Sequence, residues 1–126
     1  MSKTITIRFE ISMTPIELPF ISDWSNGFTL EKELSGDFIG TSEGLFINSG
    51  QAQGMRSYMV TEKLSGQTAD GEPSEVILEH GGIENDESAW FGRIVPGTGT
   101  GAFADATGTI NFENDDEGEM MVLKLN

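Results

Sequence analysis

The chain has 126 residues, of which 7 are basic and 21 acidic, and its net charge is −14. That length suits one domain, residues 1–126, and 37% apolar residues with 8 Phe are enough for a core, which excludes global disorder. The acidity excludes nucleic acid and an anionic membrane surface as partners, because both are gripped by Lys and Arg.

Thr4 to Ser12 alternates strictly, with Ile5, Ile7, Phe9 and Ile11 on one face and Thr4, Thr6, Arg8 and Glu10 on the other. That period of two predicts a half-buried strand. Met13 to Gly27 contains Pro15, Pro19 and Asn26-Gly27 and reads as a long connection. Its Ile16, Leu18, Phe20, Ile21 and Trp24 suit a lid over one barrel mouth or an interface between copies. Strands follow over Phe28–Ser35 and Phe38–Ile47, then Met55–Leu64 after a loop at Asn48–Gly54. Ser65–Pro73 reads as a turn, Glu75–His80 as a strand, Gly81–Glu87 as a turn and Ser88–Val95 as a strand. Pro96–Gly101 is a glycine turn, and Thr109–Glu113 and Met120–Leu125 close the series. About eight strands at this spacing predict an all-β fold, a single eight-stranded antiparallel β-barrel with a β-sandwich as the alternative.

Cysteine is absent, which removes disulfides, thiolate zinc sites and cysteine nucleophiles. Met1 to Glu10 lacks the charged start and apolar block of a signal peptide, and no apolar run nears the roughly 18 residues that span a bilayer. A cytoplasmic location is the expectation.

Three local motifs dissolve on inspection. The G-x-G-x-x-A string from Gly99 to Ala104 lacks the helix that a dinucleotide fingerprint opens, and it has no Lys for a Walker loop. Glu113-Asn114-Asp115-Asp116-Glu117-Gly118 resembles the start of a calcium loop, but Lys124 stands where the bidentate Glu belongs, so a solvated hairpin tip is expected. His80 is the only histidine, which excludes a multi-histidine centre, so no metal site and no cofactor is expected.

More informative are polar residues in register with apolar ones. Lys32 shares the parity of Phe28, Leu30 and Leu34; Tyr58 and Glu62 share that of Val60 and Leu64; His80 shares that of Val76 and Leu78. If these faces point inward, Lys32, Tyr58, Glu62 and His80 enter one interior, as a ligand site or as a satisfied polar network in the core. Glu62 and His80 are the candidate catalytic residues, with burial expected to push Glu62 upward.

Several segments carry a resemblance. These are Lys32–Phe38, Gly40–Gly44, Tyr58–Glu62, Val76–Gly82 and Val95–Gly101, in that order and spacing. Together they resemble an uncharacterised bacterial family, domain-of-unknown-function family number 3224, whose members are similar in fold to allene oxide cyclase. The resemblance implies an eight-stranded, allene-oxide-cyclase-like β-barrel with an interior able to hold a ligand, and makes a homo-oligomer plausible; it brings no activity. Two positions depart from the family pattern: Glu79 stands where Gln is common, adding charge beside His80, and Ala102-Phe103 replaces Glu-Leu.

Three functions follow as expectations. The first is a barrel that binds a small, partly apolar molecule through Lys32, Tyr58, Glu62 and His80, with Lys32 favouring a carboxylate. The second is a cofactor-independent isomerase, cyclase or lyase in which Glu62 or His80 moves a proton. The third is a homo-oligomeric structural or interaction module with a filled core.

Overall fold

A computed structural model describes residues 3–126; Met1 and Ser2, which open the segment read for a leader, lie outside it. Eight strands close an antiparallel barrel in chain order. They are β1 (Lys3–Ile16), β2 (Ser25–Gly36), β3 (Phe38–Ser49), β4 (Ser57–Thr68), β5 (Pro73–Ile83), β6 (Asp86–Ile94), β7 (Gly108–Asp115) and β8 (Gly118–Leu125). A single 3₁₀ turn, Gly101–Phe103, is the only helical element among the described residues. The sandwich alternative is thereby set aside, since β1 pairs with β8 from Lys3 to Arg8 and shuts the sheet on itself.

The strands alternate as the apolar parity requires. Ile5, Ile7, Leu34, Phe38, Leu64, Val76 and Leu78 point inward and are buried, with Ile110, Met121, Leu123 and Leu125 completing one cluster. This cluster fills the end of the barrel where Lys3 pairs with Leu125. Phe103, delivered by the 3₁₀ turn, seals that end with its ring 5.4 Å from Phe38. The glycine run before it is structural: Gly97 and Gly101 have φ of 83° and 60°, and a Cβ on Gly101 would stand 2.1 Å from the Pro73 carbonyl. The sheet also closes tightly at Gly40 and Gly66, which are paired in register; a Cβ on either would lie 2.1 Å from backbone of the opposite strand.

The connection expected over Met13–Gly27 is shorter than its breakers suggest. β1 continues to Ile16 and β2 starts at Ser25, leaving residues 17–24 between them. Pro15 is tolerated because β1 beyond Arg8 pairs with β2 alone, so no second ladder asks for its N–H. Leu18 folds back onto Gly27, where a Cβ would come within 2.6 Å of its side chain. The tip residue Phe20 is 95% exposed with φ of 70°, so this segment does not cap the barrel. The turns expected at Ser65–Pro73 and Gly81–Glu87 are likewise shorter, because β4 runs on to Thr68 and β5 to Ile83. In the other direction, β4 begins at Ser57 and leaves Met55 in the loop.

Two seams are thin. β6 and β7 share only the Arg93–Thr109 pairing, and a register shift between Gly81 and Ile83 disturbs β5–β6. Together with the free stretch of β1 they leave the end opposite Phe103 splayed. Among the described residues no helix is long and apolar enough to cross a membrane.

Candidate functional site

The parity argument places three of its four polar residues together. Lys32 comes from β2, Glu62 from β4 and His80 from β5, and their relative exposures are 3%, 1% and 7%. Glu62 Oε2 accepts from Lys32 Nζ at 3.0 Å and meets His80 Nε2 at 2.5 Å. Its other oxygen, Oε1, accepts from the Ser42 hydroxyl on β3 at 2.7 Å. Four neighbouring strands thus converge on one carboxylate. Gly44 makes the space: it pairs with Glu62 in register, and a Cβ there would stand 2.2 Å from the Thr61 carbonyl and 2.8 Å from Glu62 Cβ.

Burial by itself would raise the Glu62 pKa. The hydrogen bond from His80 opposes it, followed by the Lys32 charge, the His80 charge and the Ser42 hydrogen bond, and together they hold Glu62 at about 2. The expected upward shift is therefore reversed, because burial here comes with a full set of donors. An ionised carboxylate accepts and does not donate, so His80 carries its hydrogen on Nε2. Its Nδ1 has no hydrogen-bond partner among the described residues and is not sealed from the interior space.

Lys32 is enclosed by more than its ion pair. Its ammonium lies 4.4 Å above the Phe9 ring, 5.3 Å from the Phe112 ring and 3.6 Å from Met121 Sδ. Phe112 also lies 4.7 Å, centre to centre, from the His80 imidazole.

Above this cluster the barrel is open. A cavity of about 750 Å³ is lined by Lys32 and His80 on its floor and by Phe9, Phe46, Tyr58, Trp90 and Phe112 on its walls. Tyr58, the fourth expected residue, sits apart from the cluster as a half-buried wall residue stacked on Phe46, with ring centres 6.0 Å apart and nearly parallel. Burial, and secondarily the Glu119 charge, raises its pKa, so its hydroxyl keeps its proton. Glu119 on β8 is the acidic member of the lining.

Sequence reasoning missed Ser42 and the aromatic wall. Ser42 has the parity of Phe38 and Phe46 on β3, so the argument that found Lys32 applied equally to it. Glu79 pairs with Arg93 at 3.0 Å on the outer face of the sheet, opposite to the face that carries His80. The acidic hairpin tip is held by Arg8, whose Nη1 donates to Asp115 at 2.9 Å. Among the described residues no group of three or more His, Asp or Glu side chains is placed to hold a metal.

Residues 24–126 match the family described as Protein of unknown function (DUF3224). A crystal structure of a DUF3224 protein of unknown function from Shewanella oneidensis MR-1 superposes with a TM-score of 0.86. The match spans 100% of this chain and 97% of that one at 19% identity, a likeness of fold alone. No curated protein matches the chain.

Proposed function

The chain belongs to the DUF3224 family, a family of unknown function, and on that premise we propose that it is a small-molecule binding barrel that holds a partly apolar ligand above the Lys32–Glu62–His80 cluster. The observation that carries this reading is the division of the interior. One half is packed with aliphatic side chains and plugged by Phe103, while the other is a space of about 750 Å³ with aromatic walls and a satisfied polar floor. That volume falls within the range of ligand pockets, roughly 300–1,000 Å³. Eight strands suffice to enclose one small ligand. Glu62 serves as the anchor of the floor, Lys32 neutralises it, and His80 and Tyr58 offer the groups a ligand meets.

The test is titration with Nile red, a neutral dye that fluoresces in apolar surroundings. Saturable uptake is expected in the native protein and its loss in Val60→Phe, which fills the cavity from β4. A native chain that takes up no dye, or a folded Val60→Phe variant that takes up as much, would overturn the reading.

A second reading rests on the Glu62–His80 contact. A carboxylate that fixes the tautomer and orientation of an imidazole is the arrangement that makes a histidine a proton acceptor. In a cofactor-independent isomerase or lyase, His80 would be the base and Glu62 its positioning residue, since a carboxyl held at about 2 is a weak base. A cytoplasmic setting fits the absence of cysteine. Self-association through the apolar residues of the β1–β2 segment, Ile16, Phe20 and Trp24, is compatible with either reading.

A further inference from the structure

Resting on the binding reading, we propose that the cavity selects uncharged aromatic molecules bearing a hydroxyl, the hydroxyl donating to His80 Nδ1, and that it discriminates against carboxylates.

The first step is charge. Lys32 is the cation of the cavity floor, and its ammonium is committed to Glu62 at 3.0 Å. Glu62 is ionised, so the Lys32–Glu62 pair is neutral as a unit. An entering carboxylate therefore meets no unbalanced positive charge from that pair. It would also share the cavity with Glu119, inside a protein of net charge −14. The initial expectation that Lys32 favours a carboxylate is set aside by this pairing.

The second step is hydrogen-bond direction. Glu62 Oε2 already receives Lys32 and His80, and Oε1 receives Ser42, so the carboxylate has no need of a ligand donor. An imidazole that donates from Nε2 to Glu62 and carries no second hydrogen presents a lone pair at Nδ1, which has no partner among the described residues. That lone pair takes a donor. A hydroxyl satisfies it, whereas a carboxylate or an ether presents acceptor to acceptor and leaves both unpaired.

The third step is shape. Phe9, Phe112, Phe46, Tyr58 and Trp90 give flat walls, and two of them, Phe46 and Tyr58, already lie face to face with an interplanar angle of 12°. Planar rings fill such a space with stacked and edge contacts more completely than branched aliphatic chains do.

The experiment is displacement of Nile red from the native protein, at mildly alkaline pH, by four compounds of one ring system: naphthol, its methyl ether, naphthalene and naphthoate. Naphthol is expected to displace the dye at a concentration about three- to tenfold lower than its methyl ether, the effect of one neutral hydrogen bond. Naphthoate is expected to be the weakest of the four. His80→Phe should bring naphthol and its ether level, the two compared with each other in that variant. The ether comparison uses only the native chain, so the test stands even if that variant does not fold. Equal affinity for naphthol and ether, or naphthoate binding as well as naphthol, overturns the proposal while the dye signal keeps the binding reading intact. Absence of dye uptake overturns both.

Discussion

His80 Nε2 and Glu62 Oε2 lie 2.5 Å apart inside the barrel, and each residue sets the state of the other. The carboxylate fixes where the imidazole carries its hydrogen, and the imidazole, with Lys32 and Ser42, keeps the carboxylate ionised despite its burial. The contact links β4 to β5 across directly neighbouring strands, so it ties the stability of the sheet to the chemistry of the cavity floor.

Acid stability should report this coupling. Glu62 has its folded pKa depressed from 4.5 to about 2, so it contributes stability above pH 4.5 that is lost as pH falls towards 2. The depression corresponds to about 3 kcal/mol at full ionisation. Urea midpoints measured for the native chain and Glu62→Gln should therefore converge across that interval, with the native chain falling more steeply. Asp115 and Glu84 are also held low by arginines, but they are common to both proteins and cancel in the difference. Parallel pH profiles for the two proteins would show that Glu62 is not the titrating group.

Breaking the ion pair from the other side should be costlier than exchanging it. Lys32→Met leaves a buried carboxylate without its cation, an arrangement expected to cost roughly 3–5 kcal/mol. Lys32→Met combined with Glu62→Leu removes both charges, and pairs so replaced are often neutral in stability. Denaturation of the two single variants and the double variant forms a cycle. Costs that simply add would mean that the 3.0 Å contact carries no coupling.

The space around Glu62 depends on Gly44. A methyl group there would approach the Thr61 carbonyl to 2.2 Å and Glu62 Cβ to 2.8 Å, so the neighbouring strand must move. Gly44→Ala is expected to lose about 1–3 kcal/mol. It should also disturb the Ser42–Glu62 hydrogen bond, because β3 would be pushed from β4 where that bond crosses. Thermal unfolding gives the first effect and the chemical shifts of His80 the second. A variant with native stability and an unshifted His80 would contradict this tight approach.

Much of this arrangement was legible in the alternation of residues. Lys32, Glu62 and His80 were separable from surface charges because each falls in step with two or more buried aliphatic neighbours, and one strand period converts that step into a direction. Which inward residues meet is set by stagger between strands, and the sequence holds no local mark of stagger. Tyr58 has the same parity as Glu62 yet lies on the wall, because pairing opposite Asn48 and Gly82 puts it towards the mouth. The sign of the Glu62 shift was also out of reach, since burial alone raises a carboxyl and only the positions of three donors reverse it. Proline misled in the β1–β2 segment for a related reason. Pro15 ends a strand only where a ladder on its N–H side needs a donor, and β1 has no such neighbour there.

The two halves of the barrel should respond differently to loss of a large aromatic side chain. Phe103 is fully buried, packs on Phe38 and closes the filled end. Phe103→Ala therefore leaves a void among aliphatic side chains that cannot collapse against a closed sheet, and it is expected to cost about 3–5 kcal/mol. Trp90 lines the open half, is 51% exposed and uses its indole N–H on the Ile83 carbonyl at 2.9 Å. Trp90→Ala removes that bond and widens a space already open to solvent, so about 1 kcal/mol is expected. The ligand response should be reversed, with Nile red affinity falling for Trp90→Ala and persisting in Phe103→Ala wherever that variant remains folded. Comparable stability losses at the two positions would mean that the cavity half is as tightly constrained as the core, and a space of this size would then be a structural void instead of a binding site.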